Sequence, residues 1–503
     1  MGVRRGESNE RAMHPTDDRR LVVERDKHLG RLARSHAIGA YRRAGRSFSY
    51  TRLMSDAAHR QPPKGTRDFY PPEMAIRRHI ERAWRGASID HGFDEIDGPT
   101  FEHLSLYTVK SGEGIINELF SFRRAGGDDD YALRPEFTPT LARMVAARAA
   151  SLPQPIKWFA IPTHFRAERP QRGRLREFIQ WNVDLIGVEG SQAELDVLST
   201  AIIAMERLGL SPADVRVRLS HRGVVAAALQ ALGAQQERLA DAFALLDRRE
   251  KMEPKEFDVR AEAIGLGSAA TERLGLIART KLPIDSDARS IGAALGCSAA
   301  DAEPLVELCT RLIAADLGAW CDLDFGIVRG LAYYTGSVFE LHEASGAERA
   351  IAGGGRYDKL IELFGGPSMP AVGFGMGDVV LGLLLHDRGK LPAADGDSLM
   401  PRPDVFLVSA GAPEAEAMVL QLAATLRRGG LHVRHSYKAT RNVGKLLSEA
   451  GKCRARHAII LGAELEQGMV AWKDLAAGTQ RLIPVADVLA SVQAARGQAR
   501  AEL

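Results

Sequence analysis

The chain has 503 residues and a mass of 54.7 kDa, enough for about three domains at roughly 150 residues each and too much for one small module. Apolar residues at 45% and charged residues at 26% are ordinary for a globular protein with sizeable cores. No run of about 18 apolar residues occurs, so no membrane helix is expected. The four cysteines (Cys297, Cys309, Cys321, Cys453) are too few for a disulfide scaffold and wrongly spaced for zinc, which points to a reducing cytoplasm and no metal site.

The net charge of +3 is unevenly distributed. Residues 1–60 hold 14 Arg and Lys against 7 Asp and Glu, a net of +7, which leaves −4 for the remainder. Any nucleic-acid contact in the body must therefore use local patches. Residues 1–60 read as a basic N-terminal arm, with disorder expected. The arm has no apolar h-region and is no secretory signal. It is either an RNA-touching arm or a dispensable tail, including an over-long start ahead of Met13 or Met54.

Order is expected from Gln61-Pro62-Pro63-Lys64-Gly65-Thr66-Arg67-Asp68 onward, followed by helical spacing at Ile76, Ile80, Ala83 and Trp84. A main domain is expected over 61–390. Short β-rich runs, such as Ile156–Ile161, alternate with helices up to about 190, and 192–209 reads as a helix. Residues 221–320 are rich in Ala and Leu and read as a helical insertion. Strands return at 323–341 and 349–352, with a helix at 377–386. Pro392 to Pro403 reads as a linker. Over 402–490, strands at 404–408, 432–435 and 457–461 alternate with helices at 413–429 and 442–451, a small α/β domain.

No G-x-x-x-x-G-K-[ST] and no strand-to-helix G-x-G-x-x-G occurs, so nucleotide binding by a P-loop or Rossmann turn is excluded. The densest polar run, Arg166-Ala167-Glu168-Arg169-Pro170-Gln171-Arg172-Gly173-Arg174-Leu175-Arg176-Glu177-Phe178, lies between strand-like runs at 156–161 and 179–187. It reads as a hairpin loop of fixed guanidiniums suited to phosphate oxygens, with Phe178 as a stacking face, or as a merely solvated hairpin. Tyr131-Ala132-Leu133-Arg134-Pro135-Glu136-Phe137-Thr138 sets a carboxylate and a hydroxyl two apart, one face of a strand. Thr138 reads equally as the N-cap of an Ala-rich helix. Asp324–Gly336, with Arg329 beside Gly330, and the turn-like Gly353-Gly354-Gly355-Arg356-Tyr357-Asp358 complete the set.

Taken together and in this order, these segments resemble the histidyl-tRNA synthetases, a family of class II aminoacyl-tRNA synthetases. The resemblance covers about 62–490. Residues 73–102 resemble the dimerisation motif 1, 156–184 motif 2, and Arg329–Tyr334 with Gly353–Asp358 the two histidine signatures. Residues 404–488, including Ile459-Ile460-Leu461-Gly462 and Trp472-Lys473-Asp474-Leu475, resemble the anticodon-binding domain. The implied fold class is α+β: a class II antiparallel sheet flanked by helices, with a helical insertion and a C-terminal α/β anticodon-binding domain.

The implied activity is ATP-dependent histidine–tRNA ligation through a histidyl-adenylate, with Mg²⁺, by a cytoplasmic homodimer acting on histidine tRNA. Carried over by position, Arg166 and Arg329 would be the catalytic α-phosphate arginines. Glu168, Arg174 and Phe178 would bind ATP with Arg166. Glu136, Thr138 and Gln180 would take the α-amino group, with Phe137 beside them. Asp184 and Tyr334 would address the imidazole, with Tyr333 alongside.

Two departures stand out. Motif 3 usually ends in Glu-Arg, whose arginine contacts adenine and the γ-phosphate; here Val380 occupies that position. The aspartate common before the tyrosine pair is Ala332. They motivate the alternative of a non-catalytic histidine-binding paralogue, such as the regulatory subunit of ATP phosphoribosyltransferase. A synthetase for prolyl or threonyl transfer fits the histidine signatures less well.

Overall fold

The computed structural model describes residues 60–111, 116, 118–248, 252–327, 334–346, 349–391, 397–438 and 440–501. The readings of the basic arm, Arg329, Ala332 and Tyr333 fall outside these residues.

Pro71 and Pro72, with φ already near helical values, open the helix Pro71–Asp90. Ile80, Ala83, Trp84 and Ala87 recur at helical spacing and are buried along one face. Full burial of a large apolar side chain such as Trp84 stabilises by about 2–3 kcal/mol. That face packs on the main sheet. Trp84 stacks on Trp181 at 5.8 Å, and the Trp181 indole N–H donates to Ser88 Oγ at 3.0 Å.

The main sheet comprises β1 (Asp94–Glu95), β5 (Ile156–Ala160), β6 (Thr163–Phe165), β7 (Glu177–Ile186), β8 (Val215–His221), β9 (Lys281–Pro283), β10 (Cys321–Asp324), β11 (Ser337–Glu343), β12 (Ala352–Arg356) and β13 (Ala371–Gly377). A separate small sheet pairs β2 (Phe101–His103), β4 (Asp130–Leu133) and β3 (Ser121–Arg123). The order in the main sheet is β1-β5-β7-β13-β12-β11-β8-β10-β9, with β6 pairing β7. Its centre is antiparallel throughout. Only β1 with β5 and β10 with β8 run parallel, toward the edges. The α+β class with an antiparallel sheet is therefore the architecture the backbone forms.

Strand β7 is the spine of this sheet. Successive side chains of a strand face opposite ways. Ile179, Trp181, Val183 and Leu185 all enter the buried cluster shared with the helices Pro71–Asp90 and Gln192–Arg207. Phe178, Gln180, Asn182 and Asp184 face the other side.

One local expectation is corrected. The glycine run at 353–355 is not a turn but the body of strand β12, paired with β11 and β13. Neighbouring rings fill the space its missing side chains leave: a Cβ on Gly354 would stand 2.7 Å from Phe339 Cζ. The region 221–320 is mostly helical, as expected, with one short strand among its helices. Alongside Arg222–Ala231, Ala299–Ala314 and the helices between them, it contributes the edge strand β9, antiparallel to β10.

From residue 404 a second sheet forms from β14 (Val405–Ser409), β15 (Val433–His435), β16 (His457–Leu461), β17 (Met469–Asp474) and β18 (Gln480–Pro484), in the order β15-β14-β16-β17-β18. Strand β14 is parallel to β15 and β16, and the β17 and β18 pairings are antiparallel. The helices Pro413–Arg428 and Val443–Lys452 supply this α/β unit's packing through Val419, Leu422, Leu426 and Leu446.

Candidate active site

The polar face of β7 opens into a cavity lined by Glu136, Thr138, Arg166, Gln180, Asn182, Asp184, Tyr334, Gly353, Tyr357, Gly373, Phe374 and Gly375. Six of the residues singled out from the sequence meet here: Glu136, Thr138, Arg166, Gln180, Asp184 and Tyr334. They come from four separate stretches of chain.

Each is held by a local reason. Gln180, Asn182 and Asp184 alternate on β7 opposite Gly377, Gly375 and Gly373 of β13. Side chains at Gly375 and Gly373 would crowd the cavity: a Cβ on Gly375 would stand 2.8 Å from Gln180 Cδ. A Cβ on Gly373 would stand 2.8 Å from Asp184 Cγ and 2.6 Å from Val183 O, so only glycine admits the carboxylate there. Gly355 does the same for Tyr334, whose ring lies 3.0 Å from where a Cβ would stand.

Glu136 and Thr138 reach the cavity differently from the strand alternation expected of them. Strand β4 ends at Leu133, and Thr138 is the first residue of the helix Thr138–Arg148. Phe137 stands at the cap position in a helical conformation and no side chain caps the helix, so Thr138 is not an N-cap. Its place at the cavity wall is left as its role. Phe137 is buried in the core with Leu141 and Val145 and does not line the cavity.

Asp184 and Tyr357 are both buried, and the Tyr357 hydroxyl donates to Asp184 Oδ1. Burial pushes Asp184 up to about 7, while the hydrogen bond from Tyr357 pulls it down. Burial, with the Asp184 charge beside it, holds the Tyr357 phenol well above its ordinary range, so it remains a donor. Arg166 donates from Nε to Pro135 O at 3.1 Å. Burial lowers its pKa and Glu136 opposes that. The guanidinium lies over the Phe178 ring at 5.0 Å, and His164 stacks on the same residue at 5.7 Å. Burial, with Arg166 and Arg134 nearby, keeps His164 neutral.

Glu168 and Arg174 lie beyond the cavity, in the loop between β6 and β7. Arg174 Nη1 and Glu168 Oε1 pair at 2.6 Å. The other Glu168 oxygen is buried without a hydrogen-bond partner among the described residues, an acceptor waiting for an N–H.

Two polar lining residues escaped the sequence reading. Asn182 stands between Gln180 and Asp184, and strand alternation alone implicates it. Tyr357 belongs to the Gly353–Asp358 run, which carried a signature without an assigned side chain. In that run Arg356 is a fastener: it pairs with Glu194 at 2.6 Å and Asp358 at 3.2 Å.

The lining offers two carboxylates, two amides and hydroxyls for an ammonium and a ring N–H, and one guanidinium for a carboxylate or phosphate. Among the described residues no group of three acidic, imidazole or thiol side chains could cage a metal, and no helix is long and apolar enough to cross a membrane.

Residues 65–377 match the histidyl-tRNA synthetase family and 404–495 the anticodon-binding domain family. The histidine–tRNA ligase of Opitutus terrae is 40% identical over 440 residues, 85% of this chain and 97% of that protein. That of Halobacterium salinarum is 38% identical over 430 residues, 84% and 95% of the two chains. The histidyl-tRNA synthetase of Nostoc sp. PCC 7120 shares the fold, with a TM-score of 0.68 at 23% identity over 86% of this chain and 98% of that one. A histidine–tRNA ligase subunit of Alicyclobacillus acidocaldarius gives 0.54 at 28% identity over 69% and 100%. The chain belongs to the histidyl-tRNA synthetase family.

Proposed function

We infer that the chain is a histidine–tRNA ligase, an ATP-dependent enzyme that activates histidine as its adenylate and transfers it to the 3′ end of histidine tRNA. The observation that carries the reading is the convergence of Glu136, Thr138, Gln180, Asp184 and Tyr334 on one cavity beside Arg166, in a chain 40% identical to a histidine–tRNA ligase.

In the first step a histidine carboxylate oxygen bonds to the α-phosphorus of ATP. The bond from that phosphorus to the bridging oxygen breaks, and its electron pair leaves with pyrophosphate. No proton moves. In the second step the terminal ribose hydroxyl of the tRNA bonds to the histidyl carbonyl carbon. The bond from that carbon to the phosphate oxygen breaks, with its electron pair leaving on AMP, and the hydroxyl proton passes to a phosphate oxygen of the departing AMP or to water. Alignment and charge neutralisation suffice for such displacements. Arg166 neutralises the α-phosphate, with Arg329 as the second arginine of the pair. Glu136, Thr138 and Gln180 hold the α-ammonium. Asp184 accepts the imidazole N–H while Tyr334 meets the ring's other nitrogen, and Tyr357 orients the Asp184 carboxylate. Phe178, Glu168 and Arg174 serve the adenine side, Glu168 through its buried oxygen. Phe137 supports Glu136 and Thr138 from the core, and Tyr333 flanks Tyr334.

Magnesium would arrive with ATP and would supply neutralisation of the triphosphate charge, since such ions need few protein ligands. A homodimer is supported by the ring cluster of Phe101, Phe122 and Tyr131, the first two 49% and 44% exposed. The alternative, a histidine-binding regulatory paralogue, lacks support from the anticodon-binding match over 404–495. The four free cysteines support a cytoplasmic location.

The test is ATP–pyrophosphate exchange with a panel of amino acids. Exchange with histidine alone supports the reading. No exchange, with histidine still bound, would favour the regulatory paralogue.

A further inference from the structure

Three segments distant in sequence meet beside the β6–β7 loop. A Cβ on Gly173, at the loop's tip with φ +73°, would stand 3.3 Å from Val380 Cγ2 and 4.0 Å from Arg349 Cδ. Val380 belongs to the helix Asp378–Asp387, and Arg349 to the connection between β11 and β12. That connection is tied at its exit: Ile351 N donates to Leu341 O at 2.7 Å, and Gly377 N donates to Ile351 O at 3.2 Å. Gly377 immediately precedes the helix. Arg349 is therefore held alongside the segment where the family keeps its motif 3 arginine.

That segment cannot itself supply a cation. Val380 is buried in the apolar cluster behind the sheet. Asp378, at the helix start, is already engaged, pairing with Arg67 Nη2 at 2.6 Å and accepting from Ile179 N at 2.9 Å. Arg67 is taken up by Asp378, whereas Arg349 reaches the same loop tip, Gly173, that Val380 packs beside. Arg349 is exposed on its own connection, close enough to feel both Arg174 and Glu168; partial burial first, and then the Arg174 charge, push its pKa down, and Glu168 opposes them. Two guanidiniums thus face one carboxylate, already paired with Arg174. The surplus positive charge suits an anion.

We propose that Arg349 binds the triphosphate tail of ATP, replacing from another strand connection the arginine whose position Val380 occupies. The proposal rests on the reading of the site as ATP-using. Its planar fork suits two phosphate oxygens at once. Negative charge builds on the departing pyrophosphate as the bond to the α-phosphorus breaks, so a guanidinium on the β- or γ-phosphate helps more in the transition state than in the ground state.

Calorimetry on the full chain separates this from other roles, with ATP and AMP as probes. Arg349→Ala should weaken ATP about tenfold to hundredfold, the loss expected of a charge-assisted hydrogen bond, and leave AMP and histidine affinities within about twofold. Arg349→Lys should recover part of the loss. Equal weakening of ATP and AMP would mean that Arg349 only shapes the loop, and no weakening of either would mean that it does not touch the tail; both overturn the proposal. Binding is read directly, so a wild-type protein that binds ATP yet performs no histidine-dependent exchange overturns the ligase reading and leaves the Arg349 contact tested on its own.

Discussion

Tyr357 donates its hydroxyl hydrogen to Asp184 at the buried floor of the cavity, joining strand β7 to the segment that ends β12. The bond fixes one carboxylate oxygen and leaves the other for a ligand. Burial raises both groups, Asp184 to about 7 and Tyr357 well beyond its ordinary value, so at neutral pH the phenol stays protonated while the carboxyl is near its midpoint.

This gives a pH prediction of definite sign. In the unfolded chain an aspartate titrates near its ordinary value of about 3.9; folded, Asp184 titrates at about 7. Between these values the native state keeps a proton that the unfolded state has lost, so the contribution of Asp184 to stability falls as pH rises. Below the window both states are protonated and burial of the carboxyl carries no ionisation cost; above it the cost is complete. Asp184→Asn abolishes this dependence. Its stability relative to wild type should therefore rise with pH across the window, by at most about 1.4 kcal/mol per unit, and level off above 7. Urea unfolding of the ligand-free proteins at several pH values measures it. A flat or opposite difference would show that Asp184 is ionised throughout.

The same residue should set selectivity. Asp184→Asn keeps the shape but removes the charge and exchanges an acceptor for a donor, which should cost histidine recognition about 1–3 kcal/mol and leave ATP affinity nearly unchanged. Tyr357→Phe should act in the same direction more weakly, because the carboxylate loses its orienting donor and not its charge. Pyrophosphate exchange with histidine and with an analogue lacking one ring nitrogen reports both. If Asp184→Asn leaves the preference for histidine intact, the imidazole is bound elsewhere.

Backbone space makes a third prediction. Gly373→Ala inserts a methyl against Val183 O and Asp184 and should lower histidine affinity more than tenfold while costing about 1–3 kcal/mol of stability. Gly382→Ala is the control. Gly382 lies inside the helix Asp378–Asp387 with nothing within 4 Å of an added Cβ, so it should gain roughly 0.5–1 kcal/mol. Thermal melts of both, with histidine titrations of the first, give the comparison. A Gly373→Ala protein binding histidine normally would remove the close-approach argument.

Legibility in the sequence followed the reach of each signal. The strand β7 and the basic hairpin loop were readable because their patterns are local: alternation, then a Pro- and Gly-containing arginine run. The same alternation places Asn182 on the face of Gln180 and Asp184, but a neutral amide in a strand carries no local mark of a binding role. Tyr357 was harder, since its role depends on β12 passing beside β7's partner β13, a topology no spacing encodes. The glycine run of β12 looked like a turn because glycine usually marks one; only flanking strands with Phe339 and Phe374 filling the gaps make it a strand. Thr138 carried two readings of equal local merit, and the position of Phe137 at the cap decided between them. Arg349 had no local signal at all. Its significance comes from Gly173 and Val380 arriving beside it in three dimensions.

The last prediction concerns the small sheet β2-β4-β3. Phe101 and Phe122 meet edge to face at 5.7 Å, and Phe101 meets Tyr131 at 5.6 Å. These rings lie on a surface that leaves Phe101 49% and Phe122 44% exposed. Clustered exposed rings are costly in water and mark surfaces that a partner covers. A second copy of this chain is the occupant that the motif 1-like stretch at 73–102 suggests, because Phe101 ends it. Phe101→Asp with Phe122→Asp should then convert a dimer at micromolar concentration into monomer, since two carboxylates would have to be buried at the contact. The fold of each protomer should survive, because both side chains are substantially exposed within the chain. Sedimentation velocity of wild type and double variant, with circular dichroism of each, decides the matter. A wild type that is already monomeric, or a double variant that remains fully dimeric, would remove this sheet from the interface.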